Sequence, residues 1–143
     1  MIIGIGTDIC DIRRIEKSIE KFGKRFLDKT FTQSEQDYCE TKARPAMSYA
    51  KRFAAKEAVA KALAGAQTGA LGWTSVEVQN DPSGRPFVRL SKDAKARSEA
   101  LCPVKHQLNI HLSLSDDYPY ATAFAIAEAI PDVTQCKLSL IHI

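Results

Sequence analysis

The chain has 143 residues, of which 45% are hydrophobic and 26% charged, a composition typical of one soluble domain with its own core. No apolar run reaches the roughly 20 residues that a membrane-spanning helix needs, and the first residues lack the features of a signal peptide. We therefore expect one cytoplasmic domain. The net charge of +3 is unevenly spread. Residues 9–26 carry six basic and three acidic side chains, and residues 42–61 carry six basic side chains and one acidic side chain. Two such basic zones predict anionic partners.

The predicted elements alternate between strands and helices. Gly23 ends the first helix, Thr32 and Glu35 are spaced as a capping box for the second, and Pro45 precedes the longest. The last strand alternates large residues with alanine, and this alanine face suits close packing against a helix or a second subunit. In chain order, we predict a strand over residues 1–7, helices over 10–22 and from 32, a helix over 47–63, a hairpin of strands 76–79 and 86–90, a helix over 91–101, and strands over 108–115 and 120–127.

The four cysteines stand far apart, at positions 10, 39, 102 and 136, and none forms a Cys-x-x-Cys pair. This spacing predicts neither a zinc site nor a disulfide framework. We expect four free thiols.

Two carboxylates occupy unusual places in this pattern. Asp8 follows the apolar first strand, in the segment Gly-Ile-Gly-Thr-Asp-Ile. Glu57 lies in the longest predicted helix, and its face of the helical wheel is otherwise small and apolar except for Lys61. We expect this face to be buried, so that Glu57 must pair with Lys61 or bind a cation jointly with Asp8. The residues that share the face are Ala50, Phe53, Ala54, Ala60, Lys61 and Ala64.

Each carboxylate also has an ordinary structural interpretation. A glutamate and a lysine four residues apart on a helix commonly form a solvated ion pair worth a few tenths of a kcal/mol. Asp8 could instead cap the first helix, with Asp11 in the capping-box position.

Together with their neighbours, the two segments resemble the signatures of the 4′-phosphopantetheinyl transferases, in the short holo-[acyl-carrier-protein] synthase branch. The start Gly-x-Gly-Thr-Asp-Ile at residues 4–9 and the helix Lys-Arg-Phe-Ala-x-Lys-Glu-Ala at residues 51–58 match without a mismatch. The resemblance runs from about residue 3 to 128. It implies an α+β fold over residues 1–130, with a small antiparallel sheet packed on a long helix. Residues 131–143 leave the family pattern and form an extension of unknown role.

The resemblance implies transfer of 4′-phosphopantetheine from coenzyme A to a serine of an acyl carrier protein, in fatty acid biosynthesis. The serine must attack a phosphorus surrounded by negative oxygens, so catalysis requires charge neutralisation, in-line positioning and removal of a proton. Mg²⁺ suits this task because it takes one or two carboxylates plus phosphate oxygens. By resemblance, Asp8 and Glu57 are the metal ligands. Glu57 or a metal-bound water is the general base, and Lys61 meets the diphosphate or the leaving group.

The resemblance also implies a site for coenzyme A. His111 lies on the polar face of its strand and belongs near the coenzyme phosphates, often across a subunit boundary, although a solvated histidine fits the pattern equally well. Arg52 is expected to bind the 3′-phosphate, helped by Lys42 and Arg44. After the strand segment around His111, many members of the family read Ser-Leu-Ser-His, whereas this chain reads Ser-Leu-Ser-Asp over residues 113–116. We assign no role to Asp116. The turn that borders the adenine, largely through its backbone, is Gly84, Arg85 and Pro86.

The first helix is predicted to bind the carrier protein. Arg14, Lys17 and Lys21 recur at helical spacing with Arg13 beside them, although such a stripe is ordinarily a solvated face. An acidic carrier protein would be steered by it, and by resemblance Arg14 is the strongest candidate contact. The resemblance further implies a homotrimer with active sites at subunit boundaries. The alanine face of the last strand and the glycines of the first are expected to allow close approach of another subunit.

Other function classes fit less well. A dinucleotide-binding dehydrogenase half would need a third glycine at the position of Ile9, and hairpins stand where βαβ units should follow. A nucleic-acid-binding protein would use the basic zones but would leave Glu57 without a role. Intact Asp8, Glu57 and Lys61 argue against an inactive carrier-binding relative. We therefore expect neither nucleic acid nor a membrane as partner, and magnesium dependence distinguishes the transferase from the nucleic-acid binder.

Overall fold

The computed structural model describes residues 1–65 and 70–132, which form an α+β fold as predicted. The helices are α1 (Ile12–Phe22), α2 (Lys24–Thr30), α3 (Gln33–Glu40), α4 (Pro45–Ala62) and α5 (Lys92–Leu101), and a short 3-10 turn spans Trp73–Ser75. The strands are β1 (Ile2–Asp11), β2 (Val76–Asn80), β3 (Pro86–Leu90), β4 (His106–Asp117) and β5 (Tyr120–Pro131).

Three strands form an antiparallel sheet in the order β1-β5-β4, while β2 and β3 form a separate hairpin. The 18-residue α4 packs on one face of the three-stranded sheet, mainly against β1 and β5. Small side chains at this contact let the helix approach the sheet closely. The alanines of β5 that are buried there are Ala121, Ala123, Ala125, Ala127 and Ala129.

Strand β1 approaches α4 even more closely, with backbone against backbone. A Cβ atom added to Gly4 would lie 1.8 Å from the carbonyl oxygen of Ala62, and one added to Gly6 would lie 1.8 Å from that of Ala58. Only glycine fits at these two positions. The alanine face and these glycines are therefore covered by α4 of the same chain, and the expectation that they receive a second subunit is wrong.

Strand β1 is longer than predicted, and this changes the place of Asp8. The strand pairs with β5 as far as Asp11, which is the N-cap of α1 and accepts a hydrogen bond from the Arg13 amide at 3.0 Å. The alternative interpretation of Asp8 as a helix cap is therefore wrong. Asp8 lies inside the strand opposite Ala123, on the same side as the glycines that contact α4.

The other predicted boundaries hold to within a few residues. Thr32 and Glu35 form the capping box of α3, Gly23 with φ 55° ends α1, and Pro45 is the first residue of α4. The short helix α2 is not predicted, because its N-cap is Gly23, which provides no side-chain cap and no sequence signal of a helix start.

The buried side of α4 is broader than predicted and differently centred. In the expected stripe, Ala50 and Ala54 are buried, but Glu57 is only half-buried and Lys61 is exposed. The helical-wheel prediction assumes that other elements cover only one face of the helix. Helix α4 instead contacts β1 and β5 on one side and α1, α3 and β2 on others, so that burial extends around most of its circumference.

Lys56 is one of two almost fully buried charged side chains on α4, the other being Arg52. Its Nζ donates to Glu35 Oε1 at 2.8 Å, to the Trp73 carbonyl at 2.8 Å and to the Val76 carbonyl. Glu35 also accepts a hydrogen bond from the Val78 amide at 2.9 Å. Burial lowers the pKa of the Lys56 amine, and the Glu35 carboxylate opposes that effect. This buried pair joins α3, α4 and β2.

None of the helices within residues 1–65 and 70–132 is long and apolar enough to cross a membrane. Cys10, Cys39 and Cys102 are free thiols, as predicted, while Cys136 lies outside the described residues. The predicted extension over residues 131–143 also lies outside them beyond residue 132, so its role stays a prediction.

Candidate active site

The three predicted catalytic side chains meet where β1 crosses the C-terminal half of α4. Lys61 Nζ donates to the Thr7 carbonyl at 2.9 Å and contacts Asp8 Oδ1 at 3.4 Å. Glu57 lies one turn before Lys61 on the helix. The hydrogen-bond partner of Lys61 is therefore Asp8 on the strand, and the ion pair spans the helix–sheet contact instead of one helical turn.

The electrostatics of this cluster favour an additional positive charge. Partial burial and the neighbouring Asp8 carboxylate raise the pKa of Glu57, while the Lys61 ammonium group acts in the opposite direction. The Lys61 side chain is 55% exposed, and its contact with Asp8 is long for a charge-assisted hydrogen bond. Two carboxylates thus share one ammonium group, whose shorter hydrogen bond is to the Thr7 carbonyl, and they are incompletely neutralised.

These donors fit a magnesium ion that arrives with phosphate. In the described parts of the chain, no group of three or more histidine, cysteine or carboxylate side chains could enclose a metal. Mg²⁺ is commonly held by one or two carboxylates, while phosphate oxygens and waters complete its ligands. Asp8 and Glu57 match that requirement, whereas zinc would need three or four protein ligands.

A basic pocket of about 600 Å³ lies along the N-terminal half of α4. The hairpin turn contributes Gly84 and Pro86 to its wall, and β4 contributes Leu112, Ser113 and Leu114. No carboxylate is among the described residues that line it. The structure thus brings most of the predicted coenzyme-binding residues together. The four cationic side chains of this basic pocket are Lys42, Arg44, Lys51 and Arg52.

Arg52 is the most constrained of these cations. It is 2% exposed, its Nη2 donates to Asn80 Oδ1 at 2.7 Å, and its guanidinium carbon lies 4.0 Å from the centre of the Tyr38 ring. Its Nε has no hydrogen-bond partner in the described structure. Because buried donors are normally satisfied, this nitrogen favours an acceptor supplied by a ligand.

His111 and Arg85 lie outside the basic pocket. Both line a second cavity of about 290 Å³ on the other side of the hairpin turn. His111 is on the exposed face of β4, where its Nε2 lies 2.9 Å from Glu128 Oε1. Asp8 faces α4 on the opposite side of the sheet, so one chain keeps His111 apart from the carboxylate cluster.

The predicted carrier-binding residues form an exposed face of α1. Arg14, Lys17 and Lys21 are all exposed. Arg13 is also exposed, but it donates to both carboxylate oxygens of Asp11 at 2.9 and 2.8 Å and lowers the pKa of that group. Arg13 is therefore bonded to the N-cap residue of its own helix. Arg14, Lys17 and Lys21 are the stronger candidates for contacts with the carrier protein.

The sequence analysis assigns no role to three residues of the basic pocket. Tyr38 and Asn80 hold Arg52, and Lys51 forms an ion pair with Asp116 at 2.9 Å. Nothing in the local pattern around Tyr38 indicates that its ring faces a pocket.

Comparisons with known proteins identify the family and the fold. The family model described as the 4′-phosphopantetheinyl transferase superfamily matches residues 4–123. A holo-[acyl-carrier-protein] synthase from Methylobacterium sp. strain 4-46 is 51% identical over 132 residues, which cover 92% of this chain and 98% of the relative. The crystal structure of holo-[acyl-carrier-protein] synthase from Neisseria meningitidis superposes with a TM-score of 0.75 at 34% identity, covering 90% of this chain and 99% of that one.

A third similar structure is holo-[acyl-carrier-protein] synthase from Helicobacter pylori, solved in complex with coenzyme A. It has a TM-score of 0.72 at 30% identity and covers 87% of this chain and 99% of its own. The fold and the site thus define a phosphopantetheinyl transferase. Within that superfamily, the chain belongs to the holo-[acyl-carrier-protein] synthase family.

Proposed function

We propose that this enzyme transfers 4′-phosphopantetheine from coenzyme A to a serine of an apo acyl carrier protein and releases adenosine 3′,5′-bisphosphate. Such a reaction serves fatty acid biosynthesis in the cytoplasm. The observation that carries the proposal is that α4 joins the basic pocket to the carboxylate cluster. Arg52 and Glu57 are five residues apart, which is about 7.5 Å along a helix. The two side chains differ by about 140° around the helix axis, so one coenzyme molecule would curve around α4, with its nucleotide end in the pocket and its diphosphate at the cluster.

The two halves of the site have different tasks. The basic pocket binds the nucleotide end of coenzyme A, since four cations line it and, among the described residues, only Lys51 is paired with a carboxylate. The carboxylate cluster receives the diphosphate and the carrier serine. A new bond forms between the serine oxygen and the pantetheine-side phosphorus, and the bond from that phosphorus to the bridging oxygen breaks.

Glu57 accepts the proton of the serine hydroxyl. Its raised pKa makes it a better base than an exposed carboxylate. Lys61 is exposed and loosely bonded to Asp8, so it can turn toward the diphosphate and stabilise the charge that develops on the leaving oxygen. Asp8 and Glu57 would hold Mg²⁺, which supplies neutralisation of the diphosphate charge.

The direct test is incubation of the purified protein with apo acyl carrier protein, coenzyme A and Mg²⁺, followed by mass analysis of the carrier protein. We expect the mass to rise by one phosphopantetheine group, and we expect chelation of divalent cations to prevent it. A control lacking coenzyme A excludes copurified holo carrier protein. An unchanged carrier mass with all components present would overturn the proposal.

We propose further that the enzyme is a homotrimer in which a neighbour supplies His111. The sheet face opposite α4 is apolar yet open to solvent within one chain. Ile5, Ile9 and Phe124 on this face are 58, 63 and 45% exposed. Exposed apolar patches of this kind mark interaction surfaces. We propose this face as the subunit interface, in place of the alanines and glycines that were expected to contact another subunit.

Subunit complementation tests the shared site. Chains carrying Asp8→Ala are mixed with chains carrying His111→Ala under conditions that exchange subunits. A mixed trimer contains at least one site with an intact Asp8 and an intact His111, so partial activity should return although each variant alone is inactive. A stable, active monomer in sedimentation at the assay concentration would rule out the shared site.

A further inference from the structure

The basic pocket holds several cations together without a negatively charged partner at Arg52. Lys42 Nζ lies 4.5 Å from the centre of the Tyr38 ring, and the Arg52 guanidinium carbon lies 4.0 Å from the same ring. Two like charges that share one neighbour repel each other. Neighbouring side chains must offset this repulsion, since Arg52 is 2% exposed and water solvates it poorly.

Both neighbours of Arg52 offset the repulsion without carrying a charge. The Tyr38 ring has a negative electrostatic face, which attracts guanidinium and ammonium groups. Asn80 presents its amide oxygen to Arg52 Nη2 at 2.7 Å, and its own Nδ2 donates to the Gly84 carbonyl at 2.9 Å. The asparagine therefore ties the guanidinium to the hairpin turn. A carboxylate at either place would hold Arg52 equally well but would cancel its charge.

We propose that Tyr38 and Asn80 are positioning residues, which orient Arg52 toward a phosphate group of the coenzyme while preserving the full positive charge of Arg52. This inference rests on the proposed function, since it assumes that the pocket binds coenzyme A. The unpartnered Nε of Arg52 supports it. The Tyr38 ring covers one side of the guanidinium group, and Asn80 accepts from one of its terminal nitrogens. A phosphate can satisfy the N–H donors that remain.

Four variants test the inference by calorimetric titration with adenosine 3′,5′-bisphosphate, which needs no carrier protein. Tyr38→Leu removes the ring, and Tyr38→Phe retains it. Asn80→Asp keeps the shape and adds a negative charge. Phe22→Leu is the matched control, because it removes a ring from another cation–π pair, with Lys21, outside the pocket. Thermal unfolding identifies any variant that fails to fold.

We expect Tyr38→Leu and Asn80→Asp each to weaken bisphosphate binding about tenfold, while Tyr38→Phe and Phe22→Leu stay within about twofold of the wild type. In the transfer assay, Tyr38→Leu should raise KM for coenzyme A by a similar factor and leave kcat within about twofold. A purely structural tyrosine would instead lower the amount of active enzyme and leave KM unchanged.

The outcomes separate this inference from the proposed function. Wild-type protein that binds no bisphosphate would overturn both. Wild-type binding combined with unchanged affinity in Asn80→Asp, or in a folded Tyr38→Leu, would overturn only the positioning roles. Equal losses in Tyr38→Phe and Tyr38→Leu would also overturn the role of the ring, because the phenol hydroxyl would then be the group that matters.

Discussion

Two of the lysine–carboxylate pairs on helix α4, Lys56–Glu35 and Lys61–Asp8, differ in almost every physical respect. The side chains of Lys56 and Glu35 are 2 and 0% exposed, and each charged group is surrounded by short hydrogen bonds. The side chains of Lys61 and Asp8 are 55 and 19% exposed and meet at 3.4 Å. A buried pair with all of its hydrogen bonds made has no capacity left for a ligand, whereas an open, loosely bonded pair can exchange its partner for one.

This contrast shows which ion pair maintains the fold and which one is available for chemistry. Removing one member of a buried pair leaves an isolated charge in a poorly solvated place, which is costly. Removing one member of an exposed pair costs little, because water solvates the remaining charge. The predictions below use this difference, and they run from the largest expected effect to the smallest.

Replacing either carboxylate of the open site should abolish catalysis without unfolding the protein. We expect Asp8→Ala and Glu57→Ala each to lower the rate of transfer by about a thousandfold or more, since each would remove a ligand for the cation that neutralises the diphosphate. The free energy of unfolding should change by only about 1 kcal/mol. The measurements are a transfer assay at several Mg²⁺ concentrations and urea denaturation. Near-normal turnover at ordinary Mg²⁺ would contradict the assignment.

Replacing Lys56 or Lys61 by methionine removes the charge and compares the buried and the open ion pair directly. Lys56→Met should lower the free energy of unfolding by about 3–5 kcal/mol, because the Glu35 carboxylate stays buried without its partner. Lys61→Met should lower it by less than about 1 kcal/mol but should greatly reduce transfer. Urea denaturation of both variants measures the difference. The double variant Glu35→Gln/Lys56→Met serves as control and should recover part of the loss. Equal destabilisation by the two single changes would mean that the pairs do not differ as described.

The raised pKa of Glu57 predicts a pH-dependent gain in stability when the charge is removed. A carboxyl group whose pKa is higher in the folded than in the unfolded protein stabilises the fold fully below its unfolded pKa, and that contribution is lost as pH rises through the folded pKa. Metal-free Glu57→Gln should therefore be slightly more stable than the wild type at pH 7, and the difference should vanish near pH 4. Thermal unfolding across this range measures it.

Adding a divalent cation should reverse the order of stability of the wild type and Glu57→Gln in the same experiment. Mg²⁺ should stabilise the wild type more than Glu57→Gln, because the variant lacks one of the two proposed ligands. Glu99→Gln, which removes an exposed carboxylate from α5, controls for the general loss of a surface charge. A wild type that is the more stable protein at pH 7 without metal would contradict the electrostatic description of the cluster.

The smallest effect is expected for charges that belong to neither pair. Arg14→Glu on α1 should raise KM for the carrier protein about tenfold at low salt while leaving KM for coenzyme A nearly unchanged. The effect should shrink as salt rises, since exposed charges are screened. Lys95→Glu on α5 makes the same charge change elsewhere and should have little effect. An equal rise in both KM values would place Arg14 at the nucleotide site.

The sequence by itself determined the family and the order of most elements, and it supplied the proposal for the reactive residues. Those conclusions rest on local information: the motif around Asp8, the motif around Glu57, and the capping box of Thr32 and Glu35 can all be read within a few neighbouring positions. The alternation in β5 also predicted an alanine face before its partner was known.

Tertiary structure decided which residues meet. Lys56 and Lys61 lie five residues apart on one helix, yet Lys56 is enclosed by α3 and β2 while Lys61 opens to solvent beside β1. Periodicity reports a helix face but not how many neighbours surround the helix, so the burial of Glu57 was overestimated. The grouping of Tyr38, Asn80 and Arg52 likewise depends on contacts between segments far apart in the chain, which no local pattern encodes.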